Sequence, residues 1–393
     1  MFSLRRLIVP VVVVVVLASA PAAGFGQVVK HEEGSIGPGS FYEMDVPVTP
    51  VPWNGILVLY AHGIVQADQP VVTPSRLDGY DGLRSGLLAS GFAVAASSFS
   101  TNGWAVADAV RRTHQLGQLF VSKFGQPTRV LLMGHSLGGL VIVKLAETYP
   151  GQYDGALALC APLGGGIAEI RYAGDARVTL DAFFRDLLPG TPFYVPPGTQ
   201  FYTGSELYNR ALGTLATHPE QLRQWVLTAG IPFNPGSSPL QAFTGMLSSA
   251  MYFVGFQLRY TNDFIERVNG KIPYDNVATT YVVPGDEDTS EQLNVEVRRY
   301  FADQAALNYY DRNYEPTGDI RFPVVTLHST WDPGVPLWHE DLYARKVAEA
   351  GNSGLLTQLT EDVWGHCTMT PQRTFEAFGI LVGQVLQPAG GRK

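Results

Sequence analysis

From residue 41 to 162 the chain alternates between short apolar, β-rich runs and longer amphipathic stretches. Residues 55–60 (GILVLY) and 92–98 (FAVAASS) predict buried strands, with a helix over 77–90 between them. Over 104–124, Val106, Val110, Leu116, Leu119 and Phe120 recur at roughly helical spacing, while Arg111, Arg112 and Lys123 fall off that stripe. Residues 129–133 (RVLLM) predict a strand, 137–149 a helix and 155–160 (GALALC) another strand. Strands alternating with helices in this way imply a mostly parallel sheet covered on both faces.

The alternation stops at Ala161-Pro162 and resumes near Arg321-Phe322-Pro323. A strand over 324–329 (VVTLHS), a helix over 337–350, a strand near 355–359 and a last helix over 372–386 complete the pattern. The stretch between, 163–318, is rich in Pro, Gly and aromatics, with helices predicted over 205–215, 220–228 and 292–307. No parallel-sheet unit is evident there. It reads as a large, mainly helical lid inserted over one end of the sheet; a second independent domain is the alternative. The scarcity of charge between 230 and 258 implies burial against something and favours the insertion. The expected organisation is a leader (1–23), a first core segment (24–162), the insertion (163–318) and a second core segment (319–393).

The leader is predicted from Arg5-Arg6, the apolar run 7–17 and the small residues Ala18-Ser19-Ala20 and Ala22-Ala23, the pattern of a secretory signal. Pro10, Pro21, Gly24 and Gly26 argue against a continuous spanning helix. A secreted or periplasmic protein without a membrane span is expected. Composition sharpens the picture. At 393 residues with 46% hydrophobic and 16% charged positions, the chain can bury a large core and is not generally disordered. Its net charge of −8, with no basic run, excludes a nucleic-acid backbone as partner. No repeat of solenoid or propeller type is visible.

The strongest chemical signal is Gly134-His135-Ser136-Leu137-Gly138-Gly139, directly after one predicted strand and directly before a helix. This is the G-x-S-x-G nucleophile elbow in its required context. The chain must reverse sharply with Ser136 at the apex, and side chains two residues to either side would collide, so glycine stands at both places. The hydroxyl then sits at a helix N-terminus, where developing negative charge is favoured. A serine needs a base, and the base an orienting acid. His366 lies in Trp364-Gly365-His366-Cys367 after the last predicted strand, and Asp332 in Ser329-Thr330-Trp331-Asp332-Pro333 after the strand before it. Both places fall at the C-terminal edge of a parallel sheet, where Ser136 is also placed. Asp286 and Asp288 are lesser candidates for the acid, and His328 reads as a packing residue within its strand.

With Ser136, Asp332 and His366 in that order, the chain resembles the serine hydrolases of the α/β-hydrolase fold over about 41–162 and 319–393. The resemblance implies an acyl-enzyme on Ser136, with His366 as base and Asp332 as orienting acid. It also implies an oxyanion hole made by the backbone N–H groups of Leu137 and Ile64, the latter in Ala61-His62-Gly63-Ile64. His62 and His135 flank these positions and are expected to hydrogen-bond locally.

Cys160 ends a strand at the same sheet edge, and Cys367 adjoins His366, so a Cys160–Cys367 disulfide is predicted; two buried free thiols are the alternative. A Cys after the base is similar to the tannase and feruloyl esterase family, although the partner there adjoins the nucleophile, where this chain has His135. No metal-ligand spacing, G-x-G-x-x-G after a strand or P-loop is present, so neither metal nor cofactor is expected. Trp104, Trp331 and Trp364 on site-edge loops, with His62, suggest an apolar or aromatic group in a small-molecule or polymer ester. The reading is an exported carboxylic-ester hydrolase; a prolyl-type serine peptidase and a catalytically silent binding protein on the same fold are the alternatives.

Overall fold

A computed structural model describes residues 27–77 and 79–387; the predicted leader lies outside the described residues. The strands are β1 (Val28–Ser35), β2 (Phe41–Thr49), β3 (Ile56–Ala61), β4 (Ala93–Ser97), β5 (Arg129–His135), β6 (Gly155–Leu159), β7 (Val324–Trp331) and β8 (Leu356–Trp364). The first helices are α1 (Tyr80–Ala89), α2 (Val106–Phe124) and α3 (Leu137–Thr148). Between β6 and β7 come α4 (Gly166–Phe183), α5 (Glu206–Thr217), α6 (Pro219–Ala229), α7 (Pro239–Glu266), α8 (Glu287–Glu296) and α9 (Gln304–Tyr314). Helices α10 (Trp338–Glu349) and α11 (Pro371–Leu386) follow β7 and β8.

All eight strands form one sheet in the order β1-β2-β4-β3-β5-β6-β7-β8. The pairs from β4 to β8 are parallel, and β1 and β2 run antiparallel at one edge. The inner strands are apolar on both faces because both faces are covered. Leu57, Leu59, Ala93, Ala95, Leu132, Ala156 and Ala158 join the cluster that takes in α2 and α3. The alternate residues Val58, Tyr60, Val94, Leu131, Met133, Leu157 and Leu327 join the cluster holding Leu87 and Leu88 of α1 and Phe378 and Leu381 of α11. Alanines predominate on the α2–α3 side, which lets those helices approach the sheet closely.

The elements between β6 and β7 do not all pack alike. Helices α4 to α7 enclose an apolar cluster of their own around Leu180, Leu215, Trp225, Phe253 and Val254. Helices α8 and α9 instead place Leu293, Tyr310 and Tyr314 in the main core.

Four departures from the sequence pattern have identifiable causes. The antiparallel pair β1–β2 was not predicted: β1 (VVKHEEGS) is largely exposed and carries no apolar period. The helix expected over 292–307 is two helices, α8 and α9. Between them the Tyr300 N–H donates to Asn276 Oδ1 (2.7 Å), and Asp303 Oδ1 caps α9 by accepting from the Ala305 N–H (2.8 Å). Strand β8 runs to Trp364 rather than ending near 359; as an edge strand it alternates half-buried and exposed positions, so it lacks an apolar run. Helix α4 was missed because Gly174 interrupts its pattern; there a Cβ would collide with the Tyr274 ring.

Candidate active site

Ser136 occupies the turn between β5 and α3 at φ 53° and ψ −128°, a conformation an L-residue adopts only when its surroundings impose it. The flanking glycines explain how the turn closes. A Cβ on Gly134 would overlap the Gly138 carbonyl, and one on Gly138 would overlap the Ala61 carbonyl oxygen. The Ser136 N–H donates to the Leu159 carbonyl (2.8 Å), tying the turn to β6.

The three side chains named from sequence come together. Ser136 Oγ donates to His366 Nε2 at 2.7 Å, and His366 Nδ1–H donates to Asp332 Oδ2 at 2.7 Å. Asp332 is fully buried, and its Oδ1 accepts from the N–H groups of Gly334 (2.8 Å) and Val335 (3.0 Å). That turn follows β7, and His366 follows β8 after Gly365 at φ 112°. Cys367 is disulfide-bonded to Cys160, with Cα atoms 5.3 Å apart. Both half-cystines have positive φ, 56° and 45°, so the residue after the imidazole is anchored to the end of β6 in a backbone shape that favours glycine.

The loop after β3 runs along the serine: a Cβ built on Gly63 would lie 3.3 Å from Ser136 Cβ. This sets the 62–64 segment opposite the start of α3, where the Leu137 N–H stands. His62 is buried, stacked on Phe99 (ring centroids 4.0 Å), and its Nδ1–H donates to the Gly63 carbonyl (2.7 Å). Burial pushes His62 and His135 each down to about 4, so both rings are neutral at pH 7; His135 Nδ1 pairs with the Tyr60 hydroxyl. Asp286 is a half-buried N-cap that accepts from the Thr289 N–H of α8 (2.9 Å).

Of the predicted tryptophans, Trp331 and Trp364 are register partners at the ends of β7 and β8 rather than loop residues. Trp104 is buried edge-to-face on Phe264, and its main-chain N–H donates to Asp263 of α7 (2.5 Å). The Trp331 indole donates to Asp362 (2.8 Å) at the exposed strand edge, and the Trp364 indole donates to Ser249 of α7 (2.8 Å).

An aromatic not singled out from sequence stands beside His366. Tyr252 of α7 has its ring centroid 6.5 Å from that of His366, and a Cβ on Gly334 would lie 3.0 Å from the Tyr252 ring and 3.2 Å from His366. It belonged to an aromatic-rich stretch without periodic signal, so only packing could select it. Ser136 retains 7% of its surface, which makes the site a covered one.

A second buried pair was also missed. Glu169 of α4, 1% exposed, accepts from His339 Nε2–H (2.9 Å), while His339 Nδ1 accepts from the Gly164 N–H (3.0 Å). Burial, opposed by His366 and reinforced by Asp332, pushes Glu169 up to about 8, and burial pushes His339 down to about 3. At pH 7 this is a neutral pair. A carboxyl on one helix and a histidine some 170 positions later have no spacing that sequence alone could flag.

The sheet order, the parallel crossovers and the strand–Ser136–helix turn define the α/β-hydrolase fold, and at that turn a hydroxyl, an imidazole and a carboxylate stand in series as Ser136, His366 and Asp332. No family model and no curated protein matches the chain in sequence. Among solved structures, it is similar to the rice cell wall degrading esterase LipA from Xanthomonas oryzae: 14% identity, 88% of this chain and 82% of that one, TM-score 0.42. A hydrolase from Legionella pneumophila aligns at 15% identity over 89% and 85% with TM-score 0.44. The acylaminoacyl peptidase of Pyrococcus horikoshii aligns at 9% identity over 93% of this chain and 43% of its own, with TM-score 0.47. The fold assignment rests on this chain's own topology.

Proposed function

We propose that the protein is an exported serine hydrolase that cleaves carboxylic esters through an acyl-enzyme on Ser136. The observation that carries this reading is the unbroken chain of contacts from Ser136 Oγ through His366 to Asp332, each 2.7 Å long. In it the His366 imidazole takes the serine proton as Oγ attacks the ester carbonyl, and Asp332 holds the ring and favours the imidazolium. The N–H groups of Leu137 and Ile64 receive the oxyanion. Losing one such donor typically costs ~10²–10³ in turnover. The leaving alcohol takes its proton from His366, after which water, deprotonated by the same imidazole, attacks the acyl carbonyl; the acid is released as His366 returns that proton to Ser136 Oγ. Tyr252 beside the base, with Trp364 tied to α7, supports an apolar or aromatic group next to the scissile bond.

Treatment with a fluorophosphonate tests the nucleophile. A single adduct on Ser136, absent from Ser136→Ala, is expected; an unlabelled native protein would leave the silent binding reading in its place. Release of p-nitrophenol from short, long and aromatic acyl esters, measured against proline-containing peptide amides, tests the substrate class. Turnover of the amides alone would overturn the ester assignment.

A further inference from the structure

Behind the acid lies a second histidine that the reaction above does not use. His328 sits within β7, fully buried, with acceptor oxygens at both ring nitrogens. Nε2 is 2.8 Å from the Val335 carbonyl and 3.6 Å from Asp332 Oδ2. Nδ1 is 3.2 Å from Glu340 Oε1 on α10. The other Glu340 oxygen already accepts from Thr326 Oγ1 (2.5 Å) and Gln358 Nε2 (2.7 Å).

A neutral imidazole carries one N–H and one bare lone pair. Here a carbonyl stands against one nitrogen and a carboxyl oxygen against the other, so with Glu340 ionised either neutral tautomer would press a lone pair onto an oxygen. Charge points the same way. Asp332 and Glu340 are two buried carboxyls flanking one ring, and a neutral ring would offer neither of them a positive partner there. Burial opposes the charged ring, but Glu340 first, then Asp332 and the Val335 carbonyl outweigh it and hold His328 above its ordinary value. More distant titratable groups facing His328 are Glu169 of α4 and His339 of α10. Those facing His366 are Asp332, Glu169, His135 and Tyr252.

We propose that His328 is a permanent imidazolium clamped between Asp332 and Glu340, and that it acts as a positioning residue for the acid. Its Nε2–H donates to the carbonyl of Val335, the residue whose N–H donates to Asp332 Oδ1, and its charge lies 3.6 Å from the Asp332 oxygen that holds His366. Its charge also offsets part of the field that Asp332 exerts on His366. The base therefore gives up its proton more readily and works at lower pH than it would beside an uncompensated carboxylate. The effect on rate rests on the serine hydrolase reading; the protonation of His328 does not.

The test is the pH dependence of fluorophosphonate labelling of Ser136. Replacing His328 with Gln keeps an N–H for the Val335 carbonyl but removes the charge. The acidic limb is expected to move to higher pH by about one unit, the size of one unit charge acting across several ångströms of protein. His328→Lys, which restores the charge, should return the limb towards the native position. A limb unmoved in folded His328→Gln overturns the effect on the base and leaves His328 a packing residue. Independently, ¹⁵N spectra of the native protein should show both ring nitrogens of His328 protonated from pH 5 to pH 8. A singly protonated ring overturns the proposal even if the variants fail to fold. Failure of native Ser136 to label, with His328 doubly protonated, sinks the hydrolase reading and spares the clamp.

Discussion

At the scale of the residue, the site is built by exclusion as much as by attraction. Gly134 and Gly138 are required because backbone oxygens already occupy the places their Cβ atoms would take. That requirement was legible, since the spacing of small residues around a serine has a steric cause and the elements on either side could be read from periodicity. The partners of Glu169 and His328 were not legible, because each is fixed by what the fold stacks against it. Glu169 makes a sharp prediction. Its folded value is raised to about 8 by burial, so between the ordinary carboxyl value and pH 8 the folded state holds a proton that the unfolded chain has released. Stability from this group is present at low pH and is lost as pH rises through that window, by up to about 1.4 kcal/mol per pH unit. Glu169→Gln should flatten the fall in Tm between pH 5 and pH 8; an unchanged slope in a thermal titration would contradict it.

Among the elements, α7 matters most to the site. Its 28 residues begin after Ser238, whose side chain accepts from the Gln241 N–H, with Pro239 opening the helix. One face enters the cluster around Phe253 and Val254, and Tyr252 faces His366. The few charges of 230–258 go with burial over 246–258 but not over 234–241, which is exposed, and they do not say which side chain stands beside His366; that depends on the rotation of α7. Tyr252→Ala should open space beside the base. The expected result is a several-fold rise in kcat/KM for bulky or long acyl esters relative to acetate esters; an unchanged ratio would place the acyl group elsewhere. Strands β1 and β8 show the converse limit, because edge strands bury one side or little and so lack the continuous apolar runs that marked β3 to β7.

For the whole molecule, the Cys160–Cys367 bridge spans 207 positions and ties the end of β6 to the loop carrying His366. A cross-link of that reach typically contributes about 2–5 kcal/mol. Cys160→Ser with Cys367→Ser should lower Tm by several degrees. It should also slow labelling of Ser136 more than it weakens substrate binding, because what loosens is the placement of the imidazole. Equal labelling rates in native and bridge-free protein would make the bridge purely structural.

Sequence alone marked the alternation of elements, the elbow and the chain order of Ser136, Asp332 and His366, since these depend on local sterics and on which strand ends share an edge. It also indicated the pairing of the cysteines, because both follow strands of that edge. Only the tertiary structure decided the antiparallel strands at the margin, the break between α8 and α9, the aromatic that faces His366, and the His328 ring beside Asp332. Those outcomes depend on how separate elements pack together, and the energies of such contacts leave no trace in local periodicity.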